Sequence, residues 1–70
     1  MKKLINIMTA AGWTVVDQTE TSIRFELRDG PIVDVVREGF DDFFVSEYEI
    51  NGCYDHYPNQ TLEDIEFSWC

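Results

Sequence analysis

Seventy residues with a hydrophobic share of 44% and ten aromatic side chains make one small domain, close to the lower size at which a single apolar core sustains a fold. With ~1.5 kcal/mol of ordering entropy to offset per residue, so short a chain has little stability left for a strained or enclosed active site, and this argues against an enzyme. Five basic against fourteen acidic side chains leave a net charge of −9, which opposes direct contact with nucleic-acid phosphates or an anionic membrane surface.

The first element is helical. Leu4, Ile7, Met8 and Ala11 fall at the i, i+3, i+4, i+7 spacing of one helix face, and Gly12 supplies the left-handed residue that ends such a helix. Lys2 and Lys3 before this run resemble the start of a secretion signal, but Asn6 and Thr9 interrupt it and no A-x-A site follows. A cytoplasmic location is therefore expected, with Cys53 and Cys70 as two reduced thiols. No run approaches the ~20 apolar residues of a membrane span.

Strands follow. Trp13 opens an extended segment through Val15, Val16 and Asp17; then Ile23, Phe25 and Leu27 alternate with Arg24, Glu26 and Arg28, giving one apolar and one charged face. Asp29-Gly30 marks a turn into Pro31 and the strand that ends at Arg37. A three-residue loop including Pro31 would pair Leu27 with Val33 and Phe25 with Val35, keeping like with like on each face. After Gly39, residues 43–50 read as a strand, and Asn51-Gly52 signals a two-residue turn that pairs Ile50 with Cys53, Glu49 with Tyr54 and Glu47 with His56. Pro58 and Asn59 would close this hairpin. Thr61 caps a helical turn, and the alternation of Ile65, Phe67 and Trp69 favours a last strand, although Leu62, Ile65 and Trp69 also share a helix face. The expected fold is α+β over residues 1–70: a short N-terminal helix packed on a four- to five-stranded antiparallel sheet built from hairpins.

The charge is unevenly placed. Residues 1–40 hold five basic and six acidic side chains, whereas residues 41–70 hold eight acids (Asp41, Asp42, Glu47, Glu49, Asp55, Glu63, Asp64, Glu66) and no Lys or Arg. Seven of the ten aromatics lie in the same stretch: Phe43, Phe44, Tyr48, Tyr54, Tyr57, Phe67 and Trp69. Unpaired carboxylates repel one another in a folded domain, so a cationic partner gives this asymmetry a use that solubility alone does not; the bland alternative is a solvated acidic face. Glu47 and Glu49, about 6.8 Å apart along a strand, would form an outward row resembling a phosphate backbone.

Conventional chemistry finds little footing. Cys53-x-x-His56 with Cys70 falls short of a four-ligand zinc site; Cys53 reads more simply as a small buried apolar group and His56 as a surface residue beside Glu47. Glu38, Asp41 and Asp42 lack the calcium-loop alternation, and no phosphate loop, dinucleotide fingerprint or nucleophile elbow is present. No metal and no cofactor are expected. The opening helix, Gly12-Trp13 and the next two strands resemble the start of small ribonuclease toxins with a double-stranded-RNA-binding-like fold. Ser22, Ile23, Arg24 and Phe25 stand where that family carries a catalytic histidine, and the acidic balance opposes RNA, so the likeness implies no activity here.

The reading that follows is a non-catalytic inhibitor or adaptor. Its acidic, aromatic C-terminal surface (Asp41, Asp42, Glu47, Glu49, Tyr54, Asp55, Glu63, Asp64, Glu66) would occupy the basic site of a nucleic-acid-binding protein or nuclease, without touching nucleic acid or membrane itself. By size and charge alone the chain resembles phage-encoded inhibitors of restriction or CRISPR nucleases, acting in the host cytoplasm. The alternative is a general acidic interaction module, monomer or homodimer, binding through Trp69, Phe67 and an edge strand.

Overall fold

A computed structural model describes residues 1–28 and 30–70. The elements run α1 (Lys2–Ala10), β1 (Trp13–Gln18), β2 (Ser22–Leu27), β3 (Ile32–Gly39), β4 (Asp42–Tyr48), β5 (Tyr54–Gln60) and α2 (Leu62–Trp69). The strands form one antiparallel meander in the order β1-β2-β3-β4-β5. The α+β architecture of a helix on an antiparallel sheet of hairpins is therefore present, with a second helix at the C-terminus.

Strand alternation decides what is covered. Trp13, Ile23, Phe25, Val33, Val35, Phe43 and Val45 project to one face and join Leu4, Met8 and Ile65 of the two helices in a single core. Five of the strand residues, Ile23, Phe25, Val33, Val35 and Val45, are fully buried. The buried stripe of α1 is Leu4 and Met8, with Met1 and Ile5 packed against it. The expected partners Ile7 and Ala11 stay half-buried and exposed, because α1 leans on β1 and presents its Ile5 side to the core. Gly12 ends the helix with φ 101°, as the sequence leads one to expect.

Three bulges interrupt the ladders, two of them in the first four strands. The β1–β2 register shifts between Val15 and Asp17, so Val15 packs on the core while Asp17 stands opposite Arg24 on the other face. An extra residue in a strand reverses the side-chain phase beyond it, and here it keeps a carboxylate out of the core. The second, between Arg37 and Gly39, leads into the turn that carries Asp41 at φ 53°.

Both predicted hairpin registers are corrected. In β2–β3, Phe25 pairs with Val33 and Arg24 with Asp34, two residues from the expected alignment. Leu27 N–H donates to Pro31 O and Gly30 N–H to Leu27 O, so Pro31 belongs to the ladder and the loop starts one residue earlier; Asp29 of the predicted turn lies outside the described residues. A two-residue shift preserves the faces, and the apolar set still meets the core.

The β4–β5 shift is by one residue and does more. Tyr48 pairs with Tyr54, Glu47 with Asp55 and Ser46 with His56. Gly52, at φ 92°, donates to Glu49 O, and Glu49 N–H donates to Cys53 O. Ile50, Asn51 and Gly52 thus form a three-residue loop closed by a left-handed glycine, the common alternative to a two-residue Asn-Gly turn. One extra loop residue transfers the side chains of β5 from Tyr54 to Tyr57 to the opposite face from the one expected, until the bulge before Gln60 restores the pairing of Phe43 with Gln60.

The C-terminal segment is one helix. Thr61 Oγ1 accepts from Asp64 N–H at 3.1 Å and Asp64 Oδ2 accepts from Thr61 N–H at 3.0 Å, a complete capping box. Leu62, Ile65 and Trp69 turn inward together, so the 3.6-residue period prevails over the strand alternation of Ile65, Phe67 and Trp69. Nor do Pro58 and Asn59 end the hairpin: β5 continues to Gln60 through a bulge with Asn59 at φ 57°. Pro58 is tolerated because β5 is an edge strand and needs no donor on its outer side.

Candidate functional site

The structure divides the nine predicted partner-contact residues into those that hold the fold and those left free. Asp41 Oδ1 accepts from Leu62 N–H at 2.8 Å, so this carboxylate of the β3–β4 turn stabilises the positive end of α2. Asp64 belongs to the capping box. Glu47 Oε1 accepts from the Trp69 indole N–H at 3.1 Å, while Trp13 Nε1 donates to Trp69 O at 2.9 Å. These two bonds tie the end of α2 to β1 and β4. Among the described residues, Asp42, Glu49, Asp55, Glu63 and Glu66 have no hydrogen-bonding partner for their carboxylates, and the one ion pair, Arg24 with Asp34 at 2.7 Å, involves none of the eight C-terminal acids.

The outward row of Glu47 and Glu49 is corrected. Both project to the helix-bearing face, where Glu47 is half-buried under Trp69 and stands across from Asp55. Burial first, and then the charges of Asp55, Glu47 and Glu49, push the Tyr57 phenol above its ordinary pKa. Tyr57 in turn packs edge-on against Trp69, their ring centroids 5.2 Å apart. Seven of the eight acids therefore fall into two groups on the β4–β5–α2 side. Glu47, Glu49 and Asp55 surround Tyr57, and Asp41, Glu63 and Asp64 gather about the start of α2, with Glu66 one turn further along; Asp42 alternates with Phe43 of the core and projects to the uncovered face.

Tyr54 has moved to the other face, and with it a group the sequence reading did not assemble. Phe44, Tyr48, Tyr54 and His56 form an aromatic strip on the uncovered side of the sheet. Their centroids lie 4.3 Å apart for Tyr48–Tyr54 and for Tyr54–His56, and 5.4 Å for Phe44–His56. Tyr48 Oη donates to Tyr54 Oη at 3.1 Å, and Ser46 Oγ is bonded to His56 Nδ1 at 3.1 Å. Beside them Arg24 makes two bonds to Asp34, at 2.7 and 3.0 Å, and sets its guanidinium 6.0 Å from the centre of the Tyr48 ring. The hydrogen bond to Tyr54 first, then burial and nearby negative charge, pushes the Tyr48 phenol up to about 12. The missing signal was the length of the β4–β5 loop: a three-residue loop aligns Tyr48 with Tyr54 at once.

Cys53, His56 and Cys70 do not converge. Cys53 is exposed just after the β4–β5 loop rather than buried, His56 sits beside Ser46 rather than Glu47, and Cys70 Sγ lies 3.4 Å from Met8 Sδ at the far end of α2. Burial and then Glu66 raise the Cys70 thiol pKa. Among the described residues no group of three or more potential metal ligands is gathered, and no helix is long and apolar enough to cross a membrane.

One further surface stands out. A groove of about 920 Å³ runs between α1, the β3–β4 turn and α2, with Leu4, Ile7, Phe43 and Leu62 in its lining and both Lys3 and Glu66 on its borders. Phe40, 93% exposed, stands at its mouth, and Phe67 of α2 is 92% exposed. No protein family, curated protein or solved structure matches this chain.

Proposed function

We propose that the protein is a non-catalytic binding module, an inhibitor or adaptor, whose acidic β4–β5–α2 side occupies a basic, nucleic-acid-binding site on a protein partner. The observation that carries the reading is the set of four carboxylates, Glu49, Asp55, Glu63 and Glu66, that the fold leaves without a cation or hydrogen-bond partner among the described residues on the helix-bearing side of the molecule. Unpaired like charges held on a rigid support cost stability in the free domain and are relieved by a cationic partner. An anionic inhibitor of a nuclease of the restriction or CRISPR kind fits that chemistry.

The test uses the carboxylates that the fold does not need. A variant with Glu49, Asp55, Glu63 and Glu66 all changed to Lys keeps both capping contacts of α2 and the Glu47–Trp69 bond. Affinity capture from host lysate at low and high salt identifies the partner, and a competition assay measures whether the protein displaces nucleic acid from it. Loss of displacement by the four-site variant, together with release of the wild type at high salt, is the expected result; undiminished displacement by the variant overturns the reading.

A second reading rests on Phe40 and Phe67, large apolar side chains that stand almost fully exposed. In it the same module binds through these rings, and binding is indifferent to salt. Trp69, expected as an anchor, is held within the fold by its two hydrogen bonds and is not offered to a partner.

A further inference from the structure

The uncovered face of the sheet is aromatic where it meets the edge strand β5, and its charge is unlike that of a nucleic-acid platform. Across four strands, Arg24, Asp34, Tyr48 and Tyr54 are linked side by side, and Ser46, His56 and Phe44 continue the strip. Asp17, Glu26 and Asp34 share this face with Arg24, and Arg24 is already committed to Asp34. Aromatic ring faces carry negative potential and attract guanidinium and ammonium groups, most strongly where other anions surround them. Among the described residues there is one instance of this contact, the Arg24 guanidinium over Tyr48, whereas Tyr54 is 45% exposed and receives no cation from them.

Charge separates the possible occupants. Single-stranded nucleic acid stacks on sheet aromatics only when cations track its phosphates, and among the strand residues of this face Arg24 is the sole arginine or lysine and is bound to Asp34, in a chain of net charge −9. A second copy would bring another −9 against the first. A basic protein segment meets complementary potential on both sides of β5, because Asp55 projects to the helix-bearing face and Tyr54 and His56 to the open one.

We infer that the Tyr48–Tyr54–His56 strip is a docking site for arginine side chains of a basic protein partner, with a guanidinium stacked on Tyr54. The inference rests on the basic-partner reading above and adds a second contact surface to it. Arginine is preferred to lysine because its planar, weakly hydrated guanidinium stacks on a ring face.

The probe is an oligo-arginine peptide, titrated into the full chain with NMR detection of backbone amides and aromatic rings. An oligo-lysine peptide and oligothymidylate serve as comparisons. Expected are shifts of the Tyr54, His56 and Phe44 ring signals on adding oligo-arginine, tighter binding of arginine than of lysine, and about tenfold weaker binding by Tyr54→Leu, which keeps apolar bulk but removes the ring. Unchanged amide signals elsewhere in that variant establish that it folds. Ring signals that stay still while α2 and Asp55 respond overturn the inference, as does oligothymidylate moving the same rings, or ring shifts that depend on protein concentration alone. The four-site lysine variant separates the two readings. If it loses the peptide while Tyr54→Leu keeps it, the strip is not the site and the acidic side stands; if Tyr54→Leu loses the peptide and the four-site variant keeps it, the acidic reading fails and the strip remains.

Discussion

On the helix-bearing face of the sheet, Phe25, Val33, Val35 and Val45 are sealed under Leu4, Met8 and Ile65. On the opposite face of the same strands Arg24, Asp34, Tyr48, Tyr54 and His56 lie in the open, joined by hydrogen bonds and ring contacts to one another. The covered face gains its stability from area removed from water, and each of its residues is replaceable only at a high cost. The open face gains little from burial, so its order comes from side-chain pairing across strands, and its residues are free to serve a partner. The difference teaches where function has room: substitutions on one face should test folding, and on the other, binding.

The largest expected effect is on the covered face. Phe25→Ala should cost about 3–5 kcal/mol, comparable to the whole stability expected for a domain of this size, ~4–10 kcal/mol. Urea unfolding followed by circular dichroism should show a chain largely unfolded or poised near its midpoint in buffer; a midpoint close to wild type would mean that the core lies elsewhere.

The link between α2 and the sheet comes next. Trp69→Phe removes the donor to Glu47 and leaves a half-buried carboxylate without a partner, at a cost of about 1–2 kcal/mol. Repeating the substitution beside Glu47→Ala, which removes the acceptor, in a double-mutant cycle should recover a coupling energy, and strict additivity would show that this bond does not fasten α2. Thr61→Ala opens the capping box and should cost about 1 kcal/mol in the same unfolding assay.

Two measurements address the open face. Tyr54→Leu should change stability by no more than ~0.5 kcal/mol, and a loss as large as that of Thr61→Ala would make the aromatic strip a structural element. Tyrosine ionisation followed by ultraviolet absorbance should show one phenol, Tyr48, titrating near pH 12. Because folding raises its pKa, its contribution to stability is fully present below the ordinary phenol pKa of about 10 and is lost as pH rises towards 12. Tyr48→Phe should remove that late step; its persistence would assign it to another tyrosine.

How much of this was legible varies with the kind of signal. Gly12 and the apolar alternation of Ile23 and Phe25 each act within a few residues, and the elements they imply are present. The β2–β3 register was misread without harm, since a two-residue slip leaves the faces intact. The β4–β5 register was misread with full effect. Asn51-Gly52 serves both a two-residue and a three-residue loop, and the choice between them sends Tyr54 and His56 to opposite sides of the molecule. The acids show the same limit: nothing in the chain near Asp41 says that its carboxylate will meet Leu62 N–H, or that Glu47 will lie beneath Trp69.

The amino-acid sequence by itself determined the small mixed fold, the placement of a balanced first part before an acidic and aromatic second part, and most strand faces, because alternation and helical spacing are local properties. The tertiary structure alone decided which carboxylates cap and brace α2 and which stay free, and which aromatics gather on the uncovered face. Those outcomes depend on one loop length and on contacts between residues far apart in the chain, where a shift of a single residue exchanges the inside of a strand for its outside.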